Sequence, residues 1–313
     1  MTQLQTISKG KQLTPDAISE SMMNLIDASV APNTRKAYAL AYQSWEAYRD
    51  GRNATDELLA KWITSLHDEG KSPSTIGLKL AGVKFAFRLA GVKIDGEITA
   101  RVLAGIRRAG SKRGRSSTKG ISWDQSDSMS RLASKDDSLK GLRDSALVSV
   151  MSDALLRVSE AIGLTVADIE FMPDGSGRLH LVQSKTDQDG RGSVLFLREQ
   201  TMSYVTAYLN ARGAVGDDDV LFVRILKGDR ATTNELTVMG IRGIIRQRAT
   251  NAGLDTAQIR THSFRVGSAC SLAEHGAQLP EMQQAGRWSS PQMPSVYTKK
   301  TEAGRGAVAR LRS

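Results

Sequence analysis

The chain alternates between stretches with a clear apolar period and stretches with none. From Asn33, the segment NTRKAYALAYQSWEAYR sets Tyr38, Ala41, Tyr42 and Trp45 at i, i+3, i+4 and i+7, which is one face of a helix. An aromatic stripe at that spacing reads as core, with base stacking as the alternative. A second helix over about 56–69 turns Leu59, Trp62, Ile63 and Leu66 inward and stops at Gly70. A third begins after the tripeptide SPS and runs to Ala90, with Ile76, Leu80, Val83 and Phe87 inward and Gly91 as its stop. A short helix over 99–108 completes a helical bundle spanning 21–108. Residues 1–20 carry no such period and are expected to form a flexible lead-in.

The period then breaks. RRAGSKRGRSSTKG, residues 107–120, mixes Lys and Arg with Gly and Ser and holds no apolar anchor. It predicts an interdomain linker, taken as 109–120. Such a basic stretch is either a solvated connection or a strand laid along a phosphate backbone. Beyond it the pattern turns mixed. Helices are expected over 123–133 and 139–156. A further helix in LLRVSEAIGLTVADI holds Arg157 and Glu160 and ends near Gly163. RLHLVQSKTDQDGRGSVLFL reads as two strands, 179–183 and 194–197, around a polar turn that Lys185 opens. Helices over 201–212 and 237–252 precede HSFRVGSACSLAEHG, an amphipathic helical pattern with His262 and Arg265 on one face. The expected fold is therefore two-domain and mainly α with a small β-sheet: a helical bundle followed by an α+β domain over 121–313.

Composition narrows the class. Of 313 residues, 40% are hydrophobic, enough for two cores. Lys and Arg number 43 against 33 Asp and Glu, a formal +10, which points to a polyanionic partner, nucleic acid or an acidic membrane surface. No apolar run is long enough to span a membrane, and the opening MTQLQTISKGKQLTPD has no apolar core of a secretory signal. The single Cys270 excludes an internal disulfide and fits a reducing, cytoplasmic setting, with a buried structural thiol preferred over a reactive one.

The candidate chemistry lies late in the chain. His262, Arg265, Trp288 and Tyr297 fall close together, with Arg157 upstream. Arginines clamp phosphate oxygens, an indole donates one N–H, and a phenol can act as a nucleophile. The plain alternative is an HxxR pair on a solvated helix with Trp and Tyr in the core. No phosphate-cradling GxxxxGK loop is present, and four His and one Cys show no metal-ligand spacing, so neither an ATP-driven motor nor a zinc site is expected. Asp217, Asp218 and Asp219, and likewise Asp187 and Asp189, read as turns rather than as a two-metal site. A metal-free phosphoryl transfer remains. In it Arg157 and Arg265 would hold the phosphodiester, Lys185 would protonate the leaving 5′-oxygen, and His262 would handle protons. Trp288 would donate a hydrogen bond, and Tyr297 would attack, helped by cationic neighbours that favour its phenolate.

Taken in order, ALLRVSEAIGL, the Lys185 turn, HSFRVGSA, AGRW and the final tyrosine resemble the motifs of the tyrosine recombinase (phage integrase) family, and within it the Cre-like branch. Trp288 stands where most family members have a second histidine. The helical N-terminal unit resembles the family's core-binding domain. The resemblance implies a C-shaped clamp on double-stranded DNA carrying an inverted-repeat site. It implies Tyr297 as nucleophile, a 3′-phosphotyrosine with a free 5′-hydroxyl, and exchange through a Holliday junction. It also implies a homotetramer on DNA built from solution monomers, and no cofactor or metal. Arg157, Lys185, His262, Arg265, Trp288 and Tyr297 take catalytic roles, with Glu160 orienting the site. The tail resembles a helix exchanged between protomers, so Val308 and Leu311 are expected partner contacts; the alternative is a tail folded on its own domain. A source in bacteria, phage or plasmid fits the family.

Pro291 and Pro294 depart from the family pattern, and proline's tolerance in a first turn places a helix start near Ser290. Trp288 cannot serve as an acid or base, which leaves proton transfer to His262 or Lys185. For DNA contact the candidates are Lys79, Lys84 and Arg88 on the third helix and Arg107, Arg108, Lys112, Arg113 and Arg115 at the linker. Arg242 and Arg246 are the candidates in the second domain. Whether these read guanine or touch phosphate stays open. Other readings are a tyrosine-based topoisomerase or hairpin resolvase, and a DNA-binding architectural protein that does not cut.

Overall fold

The computed structural model describes residues 20–110, 118–181, 192–213 and 215–297. The chain divides into two compact units, with the division after Ser116. It is mainly helical with small antiparallel sheets. No helix among the described residues is long and apolar enough to cross a membrane.

The first unit contains α1 (Glu20–Ala28), α2 (Pro32–Arg49), α3 (Asp56–Asp68), α4 (Pro73–Leu89) and α5 (Glu97–Ala109). Local chemistry starts these helices. Pro32 opens α2, the Thr55 hydroxyl accepts the Leu58 N–H at 3.2 Å, and Ser72 accepts that of Thr75 at 3.2 Å. The aromatic stripe is core: Trp45 is fully buried, edge-on to Trp62 at 5.5 Å and to Phe87 at 6.0 Å. Emptying such a site costs about 3–5 kcal/mol. Helices α2 and α4 approach so closely that a β-carbon on Gly82 would stand 2.9 Å from Tyr38 Cα. The start of α5 has only Gly96 at its cap, so a neighbour caps it instead. Asp56 of α3 accepts the Ile98 N–H at 2.7 Å and the Thr99 N–H at 3.1 Å. Two differences from the sequence reading appear. Helix α1 gave no clear apolar period: among its described side chains Met22 and Leu25 are exposed, while Ile26 packs against α4. Helix α5 starts two residues before the expected Thr99 and ends one past Arg108, with Arg107 and Arg108 in its last turn.

The second unit runs through α6 (Trp123–Ser134), α7 (Leu139–Asp153), α8 (Val158–Ile162), β1 (Ile169–Phe171), β2 (Gly177–Leu181), β3 (Ser193–Leu197) and α9 (Glu199–Arg212). It continues with β4 (Val223–Leu226), β5 (Arg230–Glu235), α10 (Val238–Asn251), α11 (Ser263–Glu274) and α12 (Leu279–Gly286). Residues 292–297 are helical as well, starting two positions past the expected Ser290, with Pro294 inside the first turn. Strands β1, β2 and β3 form one antiparallel sheet and β4 and β5 a second. Leu179 pairs with Leu195 on the buried face, while Arg178 opposite Phe196 faces out. Strand β1 is only three residues long and β5 is polar throughout, so neither left a period-two signal in the sequence.

Helix α7 is the central element, buried on almost every side from Gly141 to Ser152. Its serines make this possible: Ser149 donates to Ser130 Oγ at 2.8 Å, and the Ser152 hydroxyl pairs with Ser126 at 2.8 Å. Helix α7 stops at Asp153, short of the expected 156, because Leu155 turns left-handed at φ 47°. That turn places Arg157 at the N-terminus of α8 instead of inside a helix. Helix α11 lies against the entry segment of the unit. Ser263 O accepts the Ile121 N–H at 2.9 Å, and a β-carbon on Gly267 would fall 1.8 Å from Ile121 O.

Candidate active site

Arg157, Glu160, Arg265, Trp288 and Tyr297 come together in the second unit, brought there by α8, α11 and the segment after α12. Glu160 is the common anchor. Its carboxylate accepts the Arg157 backbone N–H at 2.8 Å, the Arg157 guanidinium, and the Arg287 Nη2 at 2.8 Å. Burial alone would push this carboxyl up, but the Arg287 charge and the Arg157 N–H and side chain outweigh it and hold it below the usual range.

Arg265 is buried on α11. It donates to Leu155 O at 2.7 Å and to Gly286 O, and its guanidinium lies over the Trp288 ring, 4.6 Å from the centroid. Burial, together with the like charges of Arg157 and Arg287, lowers it to about 10. Trp288 fits because Gly286 has no side chain: a β-carbon there would sit 2.0 Å from the indole ring. On its other contact Trp288 meets Tyr297, with ring centroids 5.7 Å apart and tilted 40°. Tyr297 is half-buried among Leu155, Ala269, Ala273 and Met282.

Several expectations change. Burial pushes the Tyr297 phenol up from its ordinary value; Arg265 works the other way and Cys270 adds to the rise. The Arg265 charge favours the phenolate, but in the free chain burial in an apolar cluster outweighs it. His262 and Arg265 do not share an environment. His262 caps α11 from outside at φ −97° and is exposed, while Arg265 is buried within α11, a helix covered on nearly all sides. Cys270 is half-exposed and within electrostatic reach of Tyr297, not the buried structural thiol expected. Lys185 lies outside the described residues, as do Lys112, Arg113, Arg115, Val308 and Leu311.

Among the DNA-contact candidates, Lys79 and Lys84 face apart. Lys79 donates to Ser44 of α2 at 3.3 Å, whereas the Lys84 ammonium is 3.6 Å from where a Gly96 β-carbon would be, beside Asp56. Five positions on a helix turn a side chain well away from its partner. Arg88, Arg107 and Arg108 are exposed. Arg242 and Arg246 are exposed on α10 and, with Arg260, border a depression of about 160 Å³. A larger hollow of about 660 Å³, lined by Trp123, Val194, Phe196 and Arg198 among others, includes none of the candidate site residues. No group of three or more potential metal ligands occurs among the described residues, and Asp219 closes a turn by accepting the Gly216 N–H at 2.8 Å.

The residue missed in the sequence is Arg287. It stood inside the AGRW motif, but the indole beside it drew the attention, and nothing in the local pattern says that its side chain turns back to Glu160. With it, two guanidinium groups bind the Glu160 carboxylate and a third, Arg265, lies close enough to feel its charge. Such a surplus of buried positive charge is built to receive an anion.

A model of the phage integrase family matches residues 123–303, more than half of the chain. The chain belongs to the phage integrase family. It is similar to the recombinase Cre of Escherichia phage P1, at 24% identity over 99% of this chain and 98% of that protein. It is also similar to the tyrosine recombinase XerC of Corynebacterium glutamicum, at 26% identity over 88% of this chain and 84% of that protein. Solved structures share the fold. The XerH site-specific recombinase, bound to its palindromic difH substrate after cleavage, superposes with a TM-score of 0.71 at 16% identity, covering 93% of this chain and 84% of that one. The Tn1549 transposon integrase, in complex with transposon right-end DNA, gives 0.63 at 16% identity, covering 91% and 97%. As a member of this family the chain is a tyrosine-type recombinase, an enzyme of site-specific DNA recombination.

Proposed function

We propose that this recombinase cuts and rejoins double-stranded DNA at an inverted-repeat site by a metal-free transesterification. The observation that carries the reading is the charge arrangement: Arg157 and Arg287 pair with the Glu160 carboxylate, and Arg265 beside them lies over the Trp288 ring, which Tyr297 meets at a tilt. In the proposed step Tyr297 Oη attacks phosphorus. A P–O bond forms to tyrosine, the bond to the 5′-oxygen breaks, and the products are a 3′-phosphotyrosine and a free 5′-hydroxyl. Arg157 and Arg265 hold the non-bridging oxygens, and Lys185 gives the leaving oxygen its proton. The Tyr297 proton goes to His262, since an indole cannot take it. The incoming 5′-hydroxyl of a partner duplex reverses the step, so the phosphodiester energy is conserved and no nucleotide or metal cofactor is consumed.

Glu160 orients Arg157, and Trp288 backs both Arg265 and the nucleophile. Around this chemistry, residues 21–108 and 121–313 act as two DNA-binding halves of a clamp joined by the basic linker 109–120. Lys79, Lys84, Arg88, Arg107, Arg108, Lys112, Arg113 and Arg115 contact DNA from the first half and the linker, and Arg242 and Arg246 from the second. Four protomers, monomeric before synapsis, exchange strands through a Holliday junction, and the C-terminal tail places Val308 and Leu311 against a neighbour. The enzyme works in the cytoplasm of a bacterial cell.

Covalent capture tests the proposal. Purified protein in chelator meets a pool of duplexes with inverted repeats around a random spacer, and adducts that survive SDS are sequenced. The wild type should trap one repeat and Tyr297→Phe none. Gel shifts without adduct from both proteins would favour a binder that does not cut.

A further inference from the structure

The side chain of Arg287 is held in a conformation that works against it. Its backbone lies at φ 52° and ψ 46°, in the left-handed region, where a β-carbon crowds the chain and glycine is at ease. Only Asp50, Leu155, Asp229 and Arg287 adopt positive φ among the described non-glycine residues. The side chain is also buried, 6% exposed, so its charge is removed from water. Two unfavourable terms at one residue need contacts to offset them, and the contacts are specific. Arg287 donates to Ala154 O at 2.9 Å, to Leu155 O at 3.3 Å and to Glu160 Oε2 at 2.8 Å.

These three acceptors have one thing in common: each governs Arg157. Ala154 and Leu155 form the turn that ends α7 and delivers Arg157 to α8, and Arg265 holds the same Leu155 carbonyl from the other side. Glu160 is the acceptor that the Arg157 guanidinium occupies in the free chain. The groups that face the Glu160 carboxylate are Arg157 and Arg287, and Arg265, next to both, has Tyr297 beside it. If Arg157 and Glu160 were an isolated pair, turning Arg157 to a phosphate would strand a buried carboxylate, which is strongly unfavourable. With Arg287 in place the carboxylate keeps a full countercharge.

We propose that Arg287 is a positioning residue: it keeps Glu160 neutralised and the 154–155 turn fixed, and so frees the Arg157 guanidinium for the DNA phosphate. The inference rests on the transesterification reading above. It adds a third arginine whose work is done without touching substrate.

The test uses the full chain as wild type, Arg287→Gly, Arg287→Lys, Glu160→Gln and the Arg287→Gly/Glu160→Gln double variant. Adduct formation is timed at saturating duplex recovered by covalent capture, and affinity is measured separately. Glycine relieves the left-handed backbone, so R287G should fold and bind DNA much as the wild type does. Its adduct rate should fall about tenfold to a hundredfold, the scale of a misplaced reacting group. Lys should retain part of the rate. Glu160→Gln in the R287G background should return part of the loss, because it removes the carboxylate left without a countercharge. A merely structural role would lower stability, affinity and rate together, and Gln would return nothing.

A second arm needs no cleavage: stability against pH. The Glu160 carboxyl is lowered in the folded chain, so its contribution is present above the unfolded value near about 4.3 and lost as pH falls through the folded one. In R287G that acid step should move up in pH, and Glu160→Gln should abolish it in either background. A wild-type adduct rate in R287G, or an acid step that does not move, overturns the inference. Absence of adduct from the wild type instead sinks the transesterification reading itself.

Discussion

Burial raises the Tyr297 phenol above its ordinary value in the folded chain. Leu155, Ala269, Ala273 and Met282 exclude water around its ring, and burial raises the phenol more than the Arg265 charge lowers it. The sign matters for pH. A group whose folded value is raised contributes stability in full below its unfolded value, near about 10 for tyrosine, and loses it as pH climbs through the folded value. The difference in tyrosinate absorbance between wild type and Tyr297→Phe should therefore develop only above pH of about 10. A difference already complete at lower pH would mean that the site prepares a phenolate before DNA arrives. The same residue scale explains Glu160, where burial is outweighed by two arginines, and Arg265, where burial and like charge act in one direction. Its value is lowered first by burial and then by the neighbouring Arg157 and Arg287 charges.

At the scale of elements, the site depends on close approaches that only glycine permits. Helix α11 reaches the Arg157 turn because Gly267 lets it lie against Ile121, and Trp288 reaches Arg265 because Gly286 leaves room for the indole. The two kinds of glycine should respond oppositely to one added methyl. Gly267→Ala drives a β-carbon into backbone and should destabilise the second unit by about 3 kcal/mol, at the upper end for overpacking. Gly105→Ala, on α5 with nothing within 4 Å, should stabilise the first unit by about 0.5–1 kcal/mol. Urea unfolding of both variants checks this, and equal effects would show that the α11 contact is not tight. The serine pairs around α7, which are buried, and the Asp56 cap on α5 belong to the same scale, since each satisfies a polar group across two elements.

For the whole molecule, net charge is the property that counts. A formal +10 spread over a chain with basic residues exposed on α4, α5 and α10 implies binding dominated by release of counterions. Affinity for a duplex of arbitrary sequence should fall about a thousandfold or more between 50 and 200 mM salt if some six phosphates are contacted. Fluorescence anisotropy across a salt series measures the slope. A nearly flat response would remove the polyanion from the account. Charge of this kind governs encounter; Arg265 and Glu160, by contrast, are buried and placed by packing.

What the sequence determined by itself is whatever the local period encodes. Helices α2 to α5, α6, α7, α9 and α10 were legible because one face of each carries apolar residues at helical spacing, and β2 and β3 because their buried positions alternate. Arg157, Arg265, Trp288 and Tyr297, which come together in the fold, were legible as residue types in a familiar order of motifs. Tertiary structure decided the rest, for physical reasons. Helix α1 gave no clear apolar period, and β1 and β5 are too short or too polar to signal pairing that is made with distant strands. The environment of Tyr297, the exposure of His262 and the return of Arg287 to Glu160 depend on contacts far apart in the chain. Burial and countercharge act through space, and a run of letters records neither.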